Sequence, residues 1–382
     1  MSEMVITAKI HVQPDETGSA LLFDTVKAYT VACNRVSEYV FRSHDLKQSS
    51  LHKALYYELR ESYNMRSQMA NSVIRTVIAR YKSIVSNEHE WTLVKFSKSE
   101  YDLVWNRDYS LLKDVFSVNT LEGRIRVPYY SKGMEKYFDK SVYKFGTAKL
   151  VIRDQKFYLH IPVTFEVEDL MDQDVKHVVG IDRGINFITT CYDSDHKTSF
   201  VSGGFVKQKR AHYKKLRRDL QRRQTPSARR RLKQIGQREN RWMHDVNHCV
   251  SKALVESNPH GTLFVLEDLS GICQATEKVR IKDRYVIVSW AYYDLEEKLS
   301  YKARKHGSCV MKVDPRYTSQ GCPRCGHVER NNRNKRLHTF CCKNCGYRSN
   351  DDRIAAMNLY QKGIAYLYDS GCSVMDDTVV SE

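Results

Sequence analysis

Three carboxylates stand out by where they sit. Asp182 closes the apolar run Val178-Val179-Gly180-Ile181, and Glu267 closes Leu263-Phe264-Val265-Leu266. A carboxylate with apolar neighbours is costly to bury unless it is paired or binds a metal. Asp352 opens an amphipathic stretch carrying Ala355, Ala356, Leu359 and Ile364. Two acids at the ends of neighbouring strands and a third at a helix start can converge on one point. Such a cluster suits a hard cation, and Mg²⁺ is the usual choice beside phosphate. Two such ions, about 4 Å apart, would activate water and stabilise the leaving oxygen in phosphodiester cleavage. Each acid also has a plainer reading. Asp182 could start a turn before Arg183-Gly184, Glu267 could be a surface acid, and Asp352 could be a helix N-cap. The joint pattern in a basic chain favours the metal site.

Four cysteines carry a second chemistry. Cys322-Pro-Arg-Cys325 and Cys342-Lys-Asn-Cys345 are two C-x2-C knuckles with 16 residues between them. Gly326 and Gly346 follow the second cysteine of each pair, where a knuckle turn needs backbone freedom. Four thiolates at this spacing suit one tetrahedral Zn²⁺ and leave no open position, so the ion is structural. Cys341 is expected to be a spectator. His244 and His248 lie four apart on a predicted helix, but the glutamate of a zincin helix is absent and no third ligand is in sight. A packed or capping pair is expected there.

The charge points to the partner. Lys and Arg number 62 against 45 Asp and Glu, a formal net charge of +17. That balance favours a polyanion, most often nucleic acid. It is also concentrated: Lys207 to Arg241 holds 15 basic and 2 acidic residues. Within it Lys214, Lys215, Arg217, Arg218, Arg222, Arg223, Arg229, Arg230 and Arg231 are the candidate phosphate contacts. Arg66, Ser67, Gln68 and Asn71 expose polar groups suited to base edges, with Gln68 and Asn71 the candidates. No apolar run approaches the roughly 18 residues of a membrane span. The N-terminus lacks a basic start followed by an apolar stretch, so no signal peptide is expected. Eleven cysteines, mostly scattered, suit a reducing compartment.

These residues need elements to position them. Met4 to Val12 alternates as a strand. Leu22, Val26, Tyr29, Cys33, Val36 and Val40 mark one helix face, Leu51 to Arg60 a second helix, and Met69, Val73, Val77 and Tyr81 a third. Residues 15–88 therefore form a helical unit. From Trp91 the period is two, clearest over Phe157 to Val167, which predicts an antiparallel sheet or barrel. Pro162 suggests an edge or bulge. The first strand plausibly joins this sheet, making the helices an insertion. After an acidic linker, Glu166 to Asp174, strands alternate with helices as in an α/β domain. The basic segment reads as two helices broken at Thr225-Pro226-Ser227.

Gly180-Ile181-Asp182-Arg183-Gly184-Ile185, Leu266-Glu267-Asp268-Leu269, Asp314-Pro315-Arg316-Tyr317-Thr318-Ser319-Gln320, the four cysteines and Asp352-Arg353-Ile354-Ala355-Ala356-Met357-Asn358 together resemble the TnpB proteins of bacterial insertion sequences, relatives of type V CRISPR effectors. The resemblance spans residues 178–360 in motif and the N-terminal half in layout. It implies an α/β plus β architecture. A wedge-like β-barrel (1–14 and 89–168) is interrupted by a helical recognition lobe (15–88). A RuvC, RNase H-like nuclease domain (169–320 and 349–368) carries an inserted zinc ribbon (321–348), followed by an acidic tail (369–382). It implies Asp182, Glu267 and Asp352 as catalytic ligands of two Mg²⁺ ions, with Asp351 an alternative third acid. It implies Cys322, Cys325, Cys342 and Cys345 on one Zn²⁺. The family often has asparagine where this chain has Ile354; the acid itself is kept. The implied activity is RNA-guided DNA cleavage beside a short transposon-adjacent motif, by a monomer in a 1:1 ribonucleoprotein with a transposon-encoded guide RNA. The expected location is the prokaryotic cytoplasm, at the nucleoid. The rivals are a non-cutting RNA-guided or zinc-ribbon regulator and a miniature type V CRISPR effector.

Overall fold

The computed structural model describes residues 1–98, 100–131, 133–236, 238–269 and 292–372. Most of the expected acidic tail, from residue 373, lies outside them. The chain forms two compact units, Glu3–Glu166 and Val167–Glu382 with Met1–Ser2.

In the first unit, β1 (Ser2–Val12) leads into α1 (Glu16–Ser43), α2 (Gln48–Glu61) and α3 (Ser67–Ser86). The Asp15 carboxylate caps α1 by accepting from the Gly18 N–H at 2.7 Å. The chain then returns to strands β2 (Glu100–Leu103), β3 (Tyr109–Leu112), β4 (Val115–Asn119), β5 (Arg124–Tyr130), β6 (Lys144–Phe145), β7 (Ala148–Arg153) and β8 (Lys156–Val167). Their order is β2-β7-β8-β1-β5-β4-β3, with β6 also on β8. The helices are thus an insertion between two strands of one sheet. All six residues of the α1 stripe and all four of the α3 stripe are buried. They share one apolar core with Ile10, Leu150, Leu159 and Ile161 of the sheet. Pro162 sits where β8 changes partner: His160 pairs with Lys149 of β7, and Val163 pairs with Phe145 of β6. Its missing N–H therefore falls in a gap of the ladder.

The second unit is built on the sheet β11-β10-β9-β12-β13. Its strands are β9 (His177–Asp182), β10 (Phe187–Asp193), β11 (Thr198–Ser202), β12 (Thr262–Glu267) and β13 (Cys309–Val313). Strands β9, β12 and β13 are parallel, while β10 is antiparallel to β9 and β11 to β10. Helices α4 (Gly204–Arg223), α5 (Pro226–Ile235) and α6 (Arg238–Glu256) lie between β11 and β12. Helix α7 (Tyr292–Lys305) precedes β13, and α8 (Asp351–Asp369) ends the unit. The basic segment thus covers α4, α5 and the start of α6, one helix more than its sequence suggests.

The parallel strands are apolar throughout because both faces are covered. Val179, Ile181, Phe264 and Leu266 pack with Met243, Val250, Leu295 and Leu299 of α6 and α7. Val178, Leu263 and Val265 pack with Ala356, Leu359 and Tyr360 of α8. By that alternation Asp182 and Glu267 fall on the α8 face. Helix α8 lies directly on the strand backbone. A β-carbon at Gly180 would stand 2.2 Å from the Ala356 carbonyl oxygen and 2.4 Å from the Tyr360 nitrogen. Neither backbone atom can yield cheaply, so Gly180→Ala is expected to destabilise the unit by roughly 3 kcal/mol or more. Chemical denaturation measures this; a wild-type midpoint would mean that α8 does not rest on β9 in this way.

Between β13 and α8, strands β14 (Arg333–Asn334), β15 (Thr339–Cys341) and β16 (Arg348–Asn350) form a small antiparallel sheet. Among the described residues no helix is long and apolar enough to cross a membrane.

Candidate active site

Strands β9 and β12 run in parallel with Ile181 opposite Leu266, so the next residues, Asp182 and Glu267, leave the sheet side by side. Asp352 joins them from the first turn of α8, and the three acids line one cleft of about 380 Å³. Asp352 is not the helix cap. The Asn350 side chain fills that role, accepting from the Asp352 and Arg353 N–H groups at 3.0 and 3.1 Å. The Asp352 carboxylate is thereby left to the cleft. Burial and the negative charges of Glu267 and Asp352 push the Asp182 carboxyl well above the usual carboxylate range. Burial and Asp351 raise that of Asp352, opposed by Arg333, His338 and Lys207. Asp182 and Asp352, whose carboxyls are held up in this way beside Glu267, make a ready place for a multivalent cation.

Asp351, the alternative third acid, is wholly buried. It takes the Arg333 guanidinium at 2.8 Å and lies 3.5 Å from His338 Nδ1. Arg333 also lies 3.7 Å from Asp352. His338, Asp351 and Asp352 are close enough to form a cation site of their own, but the guanidinium already supplies its positive charge. Both Arg333 and His338 come from the cysteine-rich hairpin, so that hairpin forms one wall of the cleft. His338 is further held by the Asn186 amide at 2.6 Å, and Lys207 of α4 bonds the same Asn186. Sequence reasoning gives no place in this cleft to Arg333, His338, Asn186 or Arg183. The Arg183 side chain is almost fully buried, donating to the Glu267 carbonyl at 2.5 Å and to Glu296 at 3.0 Å. Nothing in its spacing signals this, since its partners come from a distant strand and from α7.

The four cysteines meet. All four Sγ atoms lie within 4.8 Å of one another, with Cys322–Cys345 and Cys325–Cys342 each 3.6 Å apart. A tetrahedron with Zn–S bonds of about 2.3 Å has edges of about 3.8 Å, so the cluster fits a zinc ribbon. Gly326 and Gly346 take φ +71° and +73°, the left-handed turns that the knuckles require. The His327 backbone N–H holds the Cys325 thiol down at about 6. Cys341 stays outside the cluster.

Of the candidate phosphate contacts, Lys214, Lys215, Arg218, Arg222, Arg223, Arg229, Arg230 and Arg231 are exposed on α4 and α5. Arg217 is the exception. Its guanidinium pairs with buried Glu239 of α6, which Arg210 also approaches at 3.9 Å. It therefore ties α4 to α6. Gln68 and Asn71 are half-buried on α3 in the other unit. Gln68 accepts from Arg107 at 3.4 Å, and the Asn71 amide donates to the Ser67 carbonyl at 3.0 Å. His244 bonds Asp294 of α7 at 2.8 Å, beside Lys298, in a polar seam between α6 and α7.

The regions that build this cleft are similar to known proteins. A family described as "Probable transposase" matches residues 160–270, the strands bearing Asp182 and Glu267. Residues 292–359, which hold the cysteines and Asp352, match "Cas12f1-like, TNB domain". The TnpB-like protein MJ0751 of Methanocaldococcus jannaschii is 27% identical over 51% of this chain and 67% of its own length. The chain is thus similar to a TnpB-like protein over about half of its length. It is also 32% identical to the CRISPR-associated endodeoxyribonuclease Cas12f1 of Syntrophomonas palmitatica over 51% of this chain and 40% of that protein, so it spans under half of that relative. In fold it is similar to the mini-RNA-guided endonuclease CRISPR-Cas_phi3, with TM-score 0.61 at 9% identity over 95% of this chain and 92% of that one.

Proposed function

We propose that this chain is an RNA-guided DNA endonuclease encoded by an insertion sequence. The observation that carries the reading is the convergence of Asp182, Glu267 and Asp352 in one cleft walled by Arg333 and His338. The three acids would hold two Mg²⁺ ions, which when bound supply water activation and stabilisation of the leaving oxygen. Residues 169–320 and 349–368 would then be the RuvC, RNase H-like nuclease domain. Residues 1–14 and 89–168 would be the wedge-like barrel, and 15–88 the recognition lobe. Arg333 would neutralise phosphate charge beside Asp352. Target choice would rest on pairing with a transposon-encoded guide RNA, with the protein reading a short adjacent motif. Gln68 and Asn71 would supply part of that reading. The particle would be a 1:1 ribonucleoprotein working on the nucleoid in the cytoplasm.

The test is purification of the chain with its copurifying RNA, sequencing of that RNA, and a cleavage assay on DNA matching its guide. Mg²⁺-dependent cutting of matched DNA supports the reading; guided binding without cutting at any Mg²⁺ concentration defeats it. A second reading, a miniature type V CRISPR effector, draws on the Cas12f1-like match over residues 292–359. The copurified RNA separates the two, since a CRISPR repeat in it would favour the second.

The exposed arginines of α4 and α5 would neutralise phosphates along the bound strands. Changing Arg218, Arg222, Arg223 and Arg230 together to alanine is expected to weaken binding for all sequences alike. The slope of log K against log salt should become shallower by as much as about 3, since fewer counterions are released. Arg217 is kept, because its loss would unpair buried Glu239. Identical slopes in titrations at several salt concentrations would make these helices a merely solvated face.

A further inference from the structure

Glu267 is held from both ends, and the side-chain contact comes from the segment Asp314-Pro315-Arg316-Tyr317-Thr318-Ser319-Gln320. The Thr318 hydroxyl donates to Glu267 Oε1 at 2.5 Å. Thr318 is buried, 3% exposed. Its own place is fixed by the rest of the unit. The Asn358 amide of α8 donates to the Thr318 carbonyl at 2.6 Å and to the Gly321 carbonyl at 2.9 Å. Gly321 immediately precedes Cys322 of the ribbon. One amide on α8 thus pins Thr318 to the helix that also carries Asp352.

We infer that Thr318 is a positioning residue for the acidic cluster: its hydroxyl fixes the rotamer of Glu267 and leaves the other carboxylate oxygen for the divalent cation that the acids would hold. This deepens the proposed nuclease reading and rests on it. A free glutamate side chain has three rotatable bonds. With its main chain held by Arg183 and one oxygen held by Thr318, little freedom remains to be lost when a cation binds. Outer partners of metal-ligating carboxylates typically contribute 10- to 100-fold in metal affinity.

The experiment measures cation binding directly, by Mn²⁺ electron paramagnetic resonance and calorimetry on the full chain, with zinc content and melting temperature recorded for each variant. Thr318→Val is expected to weaken Mn²⁺ binding by about 10- to 100-fold. Thr318→Ser, which keeps the hydroxyl, should return to within a few-fold of wild type, and zinc content should not change. If the valine variant melts early, Thr318→Ala against Thr318→Ser gives the same comparison without the branched carbons. Equal affinity in wild type, valine and alanine variants overturns the role of Thr318 and leaves the nuclease reading standing. Equal affinity in wild type and Glu267→Gln means that the acids do not hold the cation, and both fall together.

Discussion

Asp182→Ala, Glu267→Ala and Asp352→Ala are each expected to cut guided DNA at less than roughly one thousandth of the wild-type rate. Each removes an anionic donor from a cleft where the acids outnumber the nearby counter-charges. Arg333 pairs with Asp351, lies near Asp352 and acts on Asp182 at longer range, whereas Glu267 takes the Thr318 hydroxyl. Without one of the three, the remaining pair holds a cation more weakly and in different geometry. Guided DNA binding should survive, because affinity comes from base pairing and phosphate contacts made elsewhere. Asp351→Ala is the informative control. It strips Arg333 of its partner at the base of the cleft, so it should lower the rate and the melting temperature together without abolishing cutting. Cleavage and binding assays on matched DNA, with melting curves, separate these cases. Wild-type cutting by Asp352→Ala together with complete loss in Asp351→Ala would transfer the third ligand to Asp351.

Why these acids were legible in sequence, and their supports were not, follows from the kind of signal each leaves. Asp182 and Glu267 break apolar runs that only a doubly covered strand explains, and Asp352 opens an amphipathic helix. Burial pattern alone marks all three. Local periodicity likewise yields the α1 and α3 stripes and the alternation of β8, because those residues face a core their own spacing describes. Arg183, Thr318 and Arg333 leave no such trace. Their partners lie 84, 51 and 18 residues away, and the contacts exist only after strands, α8 and hairpin assemble. Arg217 errs in the opposite direction. Charge density marks it as a phosphate contact, while one buried acid on α6, Glu239, makes it a tie between helices. Asn350 shows the same limit at short range: as a better-placed cap two residues earlier, it releases Asp352 from the plainer role its sequence position offers.

Loss of the ribbon's zinc is expected to stop cleavage although none of its four cysteines lines the acidic cleft. The purified chain should carry one tightly held Zn²⁺, and Cys342→Ser should bring that content close to zero, since structural sites of this kind contribute about 10 kcal/mol or more of folding free energy. The three short strands β14, β15 and β16 have few apolar partners: Phe340 and Ile354 are buried beside Cys322 and Cys342, with Tyr347 and Met357 partly so. So small a core does not hold the hairpin without the metal. The hairpin in turn carries Arg333 and His338 into the cleft, and the His338 carbonyl takes the Asn350 side-chain amide at 3.3 Å, beside the start of α8. Releasing the knuckles therefore withdraws the positive wall of the site and loosens the turn that aims Asp352. Elemental analysis, melting curves and cleavage rates on wild type and Cys342→Ser make the check, with Cys341→Ser as a control that should keep both zinc and activity. A zinc-free Cys342→Ser protein that cuts at the wild-type rate would mean that the ribbon's fold and the acidic cleft are independent.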